Sequence, residues 1–189
     1  MNMAPTRILA YGVLGLPLAF AALPVYVHVP RLYAEVGGMD LALLGGILLL
    51  TRVCDAAIDP WLGWLADRLP RRKMLAWALL PLLCGFVALL NPPATHAAPW
   101  LVAALALTYL GYSAASVAYQ SWGAALGEDV ALRTRLTAAR EGFGLFGVVE
   151  ATALPALLAA DFGAGVSRLA WVLPPLLLCA AVVTLGGTG

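Results

Sequence analysis

The chain has 189 residues, of which 62% are hydrophobic and 11% are charged, and its net charge is +1. A soluble domain has about 45–50% apolar and about 25% charged residues, so lipid must solvate much of this chain. A near-neutral charge balance without a basic face argues against nucleic acid as a partner.

Six apolar stretches follow one another, each close to the ~20 residues that cross ~30 Å of hydrocarbon. They predict a single all-α membrane domain over residues 1–189, with transmembrane helices at about 8–29, 41–66, 74–90, 98–122, 136–160 and 169–185. The cysteines lie inside these stretches, which predicts buried free thiols rather than a disulfide: Cys54, Cys84 and Cys179.

The cations between the spans are distributed unevenly. Only Arg31 and Arg168 lie in the loops on one side, whereas the other side has Arg7, Arg68, Arg71, Arg72, Lys73, Arg133 and Arg135. Because cytoplasmic loops of membrane proteins are enriched in Lys and Arg, we expect both termini in the cytoplasm. The membrane is expected to be a bacterial-type inner membrane.

The second span contains three ionisable residues, Arg52, Asp55 and Asp59, which share one helical face. Such groups usually mark ion or substrate pathways, proton relays or structural ion pairs. The two carboxylates can hold Na⁺ together with hydroxyl or carbonyl oxygens, or one of them can carry a proton. Alternatively, Arg52 and Asp55 form an ion pair that only packs helices. Two acids and one cation leave a spare negative charge, which favours a coupling site.

A polar stripe occupies one face of the fourth span, comprising Tyr109, Tyr112, Ser113, Ser116 and Gln120. Polar groups in a membrane bundle face other helices or water rather than lipid. These side chains are suited to a hydrogen-bonding substrate or to a cation's remaining coordination. Contact between helices is the alternative, because Ser often serves that purpose in membranes.

The fifth span contains Arg140 and Glu141 near its cytoplasmic end, and Glu150 lies about 13 Å beyond Glu141. Glu150 is therefore a candidate third acid of the site, or a partner for Arg52. The string Gly142 to Gly147 spells G-x-G-x-x-G, but it lies within a membrane helix, so we interpret it as close helix packing rather than a nucleotide site. His28 is expected to be an isolated interfacial residue.

The segment after the second span, Gly63-x-x-x-Asp67-Arg68-x-x-Arg71-Arg72, resembles the loop signature that follows helix 2 in the major facilitator superfamily. Together with Arg52-x-x-Asp55-Ala56-x-x-Asp59-Pro60, it resembles the melibiose-permease-like family of glycoside–pentoside–hexuronide:cation symporters. The resemblance covers essentially the whole chain. It implies the N-terminal six-helix half of such a transporter, built as a 3+3 inverted repeat.

The resemblance also implies roles for individual residues. Asp55, Asp59 and Ser113 would form the cation site. The substrate cavity would contain Arg140 and, at the positions of the family's helix 4 sugar ligands, Ser116 and Gln120. Helix 1 has Pro17-Leu18-Ala19 where that family places a sugar-binding acid, so a lipid-like solute fits as well as a sugar. The segment after the second span would act as a gating loop, formed by Gly63, Asp67, Arg68, Arg71 and Arg72.

We therefore expect a secondary transporter that couples a small solute to Na⁺ or H⁺ by alternating access. It would be no enzyme and would need no cofactor beyond the coupling ion. Because the superfamily has twelve spans, a second six-helix half or a second copy of the chain is the expected protein partner. Membrane lipid is expected to surround the helices. The alternatives are a non-transporting scaffold, a truncated half-transporter, or an intramembrane lipid head-group enzyme.

Overall fold

A computed structural model describes residues 3–188, and the regular structure within that range is helical throughout. The helices are α1 (Pro5–Gly12), α2 (Gly15–Glu35), α3 (Leu41–Arg68), α4 (Arg71–Leu89), α5 (Ala97–Leu126), α6 (Val130–Leu158), α7 (Phe162–Ala170) and α8 (Leu173–Gly187). The pairs α1–α2 and α7–α8 each form one span, so six units are long and apolar enough to cross a membrane. The predicted all-α class with six membrane helices is confirmed.

Aspartates define where three of the helices begin. Asp40 Oδ2 accepts hydrogen bonds from the first backbone N–H groups of α3, at 3.0 and 3.1 Å. Asp129 caps α6 through the N–H of Leu132 at 2.7 Å, and Asp161 caps α7 through that of Ala164 at 2.8 Å. Because these caps lie outside the apolar stretches, α6 and α7 begin six to seven residues before the predicted spans.

The helices approach one another most closely at glycines. A Cβ at Gly85 of α4 would lie 2.5 Å from the backbone nitrogen of Thr108 in α5. A Cβ at Gly147 of α6 would collide with the carbonyl of Leu16 in α2, whereas one at Gly142 would meet nothing within 4 Å. Helix packing through the G-x-G-x-x-G string is therefore confirmed for its last glycine and not for its first.

Two of the pairings between spans are related to each other in the way that the expected internal repeat requires. The first span packs on the fifth through α2 and α6, and the second packs on the fourth through α3 and α5. In two related three-helix units the first span corresponds to the fourth and the second to the fifth, so these two pairings are equivalent. The contact between α3 and α5 is the one that positions the candidate site.

Two helices leave most of their surface uncovered. In their most apolar windows, only 17% of α3 and 22% of α6 is buried, against 50% of α5. The three cysteines are free, as predicted, but they are exposed on the outer surface of the bundle. The prediction that they are buried is wrong, because an apolar sequence in a membrane helix faces lipid as readily as protein.

Candidate functional site

Asp55 is the buried charge of α3, with 6% of its surface exposed in a helix that is otherwise largely uncovered. The hydroxyl of Ser113 on α5 donates a hydrogen bond to Asp55 Oδ1 at 2.8 Å. Arg52 Nη1, one turn earlier on α3, donates to Oδ2 at 2.9 Å. Each carboxylate oxygen therefore has a donor, which offsets the cost of removing the charge from water.

Arg52 lies near two tyrosine rings at the edge of this site. Its Cζ atom is 5.5 Å from the ring centroid of Tyr109 and 5.8 Å from that of Tyr26, within the range of cation–π attraction. Its side chain is 52% exposed, so the guanidinium is only partly desolvated. An ion pair with one half-exposed partner is weaker than a fully buried pair and can open at modest cost.

Asp59 lies one helical turn beyond Asp55 and is exposed. It forms no ion pair or hydrogen bond with any residue between 3 and 188, but it is close enough to Asp55 to repel it electrostatically. The group of Arg52, Asp55 and Asp59 thus has a net charge of −1. No cluster of three His, Cys, Asp or Glu side chains occurs in the described chain. A cation here would bind the two carboxylates and the Ser113 hydroxyl.

Two adjoining cavities of about 180 and 230 Å³ follow the polar face of α5. Both are lined by Gln120 and Arg140, and the first also by Tyr112 and Ser116. The structure thus brings together four of the predicted cavity residues. Tyr109 instead lies against Arg52.

Arg140 is the cation that lines both cavities, and it forms an ion pair with its neighbour in the chain. Its Nη2 lies 2.5 Å from Glu141 Oε1, and its Nε also donates to that oxygen at 3.1 Å. The Arg140 side chain is 24% exposed, whereas that of Glu141 is 67% exposed. Both members of this ion pair line the first cavity, and Glu141 also extends to the surface.

Glu150 does not join the cluster around Asp55. It is exposed on α6 and forms no ion pair with another described residue. Arg52 pairs with Asp55 instead, because the two lie one turn apart on α3, whereas α6 packs mainly on α1, α2 and α7. The expected partnership of Glu150 with Arg52 is therefore not formed in this structure.

The predicted gating loop is mostly helical. Gly63, Asp67 and Arg68 belong to the last turns of α3, and α4 begins at Arg71, so only residues 69–70 connect the two helices. The guanidinium of Arg68 lies over the Trp64 ring at 3.7 Å. Asp67 is exposed and forms no hydrogen bond or ion pair within residues 3–188.

Arg72, in the first turn of α4, fixes this segment to the rest of the bundle. Its Cζ lies 4.9 Å from the ring centroid of Trp122 on α5, and its Nη2 contacts Thr188 Oγ1 at 3.5 Å, just beyond the end of α8. Cations at a helix N-terminus oppose the helix dipole, so these external contacts help to hold Arg72 there. The segment therefore links α3, α4, α5 and the C-terminal end of α8.

A family model described as MFS/sugar transport protein matches residues 8–188, nearly the whole chain. The chain belongs to this family. Membership of the major facilitator superfamily, expected from the segment after the second span, is confirmed. An MFS/sugar transport protein is a transporter rather than an enzyme, and the six apolar helices make this one an integral, multi-pass membrane protein.

Two features of this chain were missed by the sequence interpretation. Tyr11 and Tyr119 each donate their hydroxyl to the other's backbone carbonyl, at 3.1 and 2.5 Å, with ring centroids 4.6 Å apart. The only sequence signal for this pair was Tyr11-Gly12, noted as part of the resemblance. His28, expected at the interface, is 7% exposed and bonds the carbonyl of Ala151 on α6. Its partner is 123 residues away, so no local pattern indicates the contact.

Proposed function

We propose that this chain is one six-helix unit of a secondary transporter that couples the movement of a small solute to Na⁺ or H⁺ by alternating access. The observation that carries the proposal is the arrangement at Asp55, where a hydroxyl donor from α5 meets a buried carboxylate beside a partly exposed arginine. Burying a carboxylate within a membrane span costs free energy. Such residues therefore usually have a function or a permanent partner.

The charge balance supports a mobile cation. Arg52 neutralises one of the two carboxylates in its cluster, which leaves Asp59 without a counter-charge among residues 3–188. A Na⁺ ion held by Asp55, Asp59 and the Ser113 oxygen would neutralise that charge, and so would a proton on either acid. Binding and release of this one positive charge would shift the equilibrium between two arrangements of α3 and α5, the helices that hold it.

The solute is proposed to bind along the polar face of α5. Tyr112, Ser116 and Gln120 offer neutral hydrogen-bonding groups, and Arg140 adds a cation. This lining suits a hydroxylated solute such as a sugar, or a lipid-like molecule with a polar head. The segment from Gly63 to Arg72 would latch the inward-closed state, with Arg72 as its anchor on Trp122.

A second six-helix unit is proposed to cover α3 and α6. The exposed surface of α3 includes Asp59, whose charge is costly to place against lipid. A second half or a second copy of this chain would close a cavity around it. The uneven distribution of cations supports an orientation with both termini in the cytoplasm, in a bacterial-type inner membrane.

Solute uptake by proteoliposomes, driven by imposed Na⁺ or H⁺ gradients, tests the coupling role. Asp55→Asn and Asp59→Asn should each abolish gradient-driven uptake while leaving the protein folded. Asp161→Asn is the matched control, because Asn caps a helix as well as Asp does and the residue lies outside the site. Unchanged gradient dependence in both site variants would exclude the coupling role.

The Arg52–Asp55 ion pair also favours a second candidate, a non-transporting scaffold in which the pair only packs helices. The mass of the purified protein, corrected for detergent, separates the two candidates. Two chains per particle, or a co-purifying six-helix partner, support the transporter. A single chain without flux for any solute supports the scaffold.

A further inference from the structure

A cavity of about 420 Å³ lies between α2, α6 and α7, at the end of the bundle away from the cationic loops. It is larger than either cavity along α5 and shares no residue with them. Its walls are largely apolar, and its polar members are His28, Arg31 and Thr152. None of these residues takes part in the proposed transport site.

A proline accounts for the position of His28. Pro155 has no N–H, so the carbonyl of Ala151, four residues earlier, loses its helical partner. His28 Nε2 lies 3.0 Å from that carbonyl oxygen. Since a carbonyl can only accept, Nε2 must carry the hydrogen, and neutral His28 then has a free acceptor at Nδ1.

Nδ1 of His28 is available to a ligand. It forms no hydrogen bond with another described residue. Every fully buried side-chain nitrogen or oxygen in residues 3–188 has a hydrogen-bond partner. Since Nδ1 has none, it must be partly accessible. His28 is one of the residues that line the cavity.

Arg31 supplies a cation at the rim, one turn beyond His28. Its guanidinium packs over the Phe162 ring at 4.1 Å, and its Nε donates to Glu35 at 2.9 Å. Both terminal Nη groups remain without a hydrogen-bond partner in the described chain. The nearby carboxylates are engaged, because Glu35 pairs with Arg31 and Asp161 caps α7.

We propose that this cavity binds a phospholipid whose head group has both a phosphate and a hydrogen-bond donor. The phosphate would contact the free Nη groups of Arg31, and a head-group hydroxyl or ammonium would donate to His28 Nδ1. An acyl chain would follow the apolar wall formed by Pro155 and Ala156. Phosphatidylglycerol and phosphatidylethanolamine have such a donor, whereas phosphatidylcholine does not. The inference is independent of the proposed transport function.

Native mass spectrometry of the purified chain, loaded with these three lipids bearing identical acyl chains, tests the proposal. The wild type should retain the two donor lipids about fivefold better than phosphatidylcholine, as expected for one net hydrogen bond. Arg31→Gln should lower retention of all three lipids about tenfold, since a charge-assisted contact is lost. Arg135→Gln removes an exposed cation from the opposite end of α6 and should change nothing.

His28→Gln distinguishes the roles of the two imidazole nitrogens. Glutamine can still donate to the Ala151 carbonyl from its terminal amide but offers no acceptor at the position of Nδ1. This variant should keep the helicity and phosphatidylcholine retention of the wild type and lose the preference for donor lipids. Equal lipid retention by Arg31→Gln and Arg135→Gln would overturn the proposal, as would displacement of the lipid by excess inorganic phosphate.

Discussion

Ser113 on α5 and Asp55 on α3 are joined by a hydrogen bond of 2.8 Å, although 58 residues separate them in the chain. The bond fixes where the second and fourth spans cross and supplies the only donor to Asp55 from outside its own helix among the described residues. Both a structural and a cation-binding role of Asp55 therefore depend on Ser113.

Ser113→Ala should destabilise the fold and weaken cation binding together. Removing the hydroxyl leaves Asp55 Oδ1 buried without a donor, which costs about 1–3 kcal/mol. Thermal unfolding in detergent, with and without Na⁺, measures both effects. Ser121→Ala is the control on the same helix, because the Ser121 hydroxyl only bonds the carbonyl of Ala118 in its own helix. Equal unfolding temperatures of the two variants would show that the Asp55 contact contributes nothing.

Arg52→Gln should tighten Na⁺ binding rather than weaken it. Arg52 occupies Asp55 Oδ2 at 2.9 Å and must release that oxygen before a cation can use it. A partly exposed pair is worth about 1 kcal/mol, so its removal should raise the apparent Na⁺ affinity about fivefold. Isothermal titration in detergent measures the affinity, with Arg52→Lys as the charge-conserving control. Weaker binding by Arg52→Gln would mean that the arginine supports the site instead of competing for it.

The sequence was sufficient for the spans and for the face shared by Arg52 and Asp55. Hydropathy fixes the spans, and helical pitch within one helix fixes the shared face. The Ser113 contact could be expected only from the resemblance, because it depends on how two distant helices cross. The outward and inward faces of a membrane helix are both apolar, so the sequence did not indicate that Cys54 is exposed.

The contacts that were missed join residues that are far apart in the chain. His28 meets Ala151 because Pro155 frees a carbonyl on a helix more than a hundred residues away. Tyr11 and Tyr119 likewise meet across the bundle. The segment from Gly63 to Arg72 was predicted as a loop because of its charges and its resemblance to the family's loop signature, yet helical structure extends to Arg68 and resumes at Arg71. Charge places a segment at the membrane boundary without ending its helix.

Gly147→Ala should be strongly destabilising, whereas Gly142→Ala should be nearly neutral. A Cβ at Gly147 would collide with the Leu16 carbonyl, so α2 and α6 would have to separate, at a cost of about 1–3 kcal/mol. Gly142 has open space and tolerates the methyl group. The free energy of unfolding from a detergent titration measures both changes. Similar losses in the two variants would contradict the assignment of this string to one close helix contact.

Tyr11 and Tyr119 should be energetically coupled through their reciprocal hydrogen bonds. Tyr119→Phe removes the hydroxyl bonded to the Tyr11 carbonyl and keeps the ring stacking, so the expected loss is about 1 kcal/mol. A double-mutant cycle with Tyr11→Phe should give a coupling free energy of about 0.5 kcal/mol or more, because each hydroxyl positions the ring that carries the other.

Tyr26→Phe is the control for this cycle, because the Tyr26 side chain is exposed and its hydroxyl bonds no residue between 3 and 188. It should leave the free energy of unfolding unchanged. Strictly additive losses for Tyr11→Phe and Tyr119→Phe would mean that the two hydrogen bonds form independently. The first span would then be held to the fourth by ring packing and by the close approach of Gly123 to Tyr11.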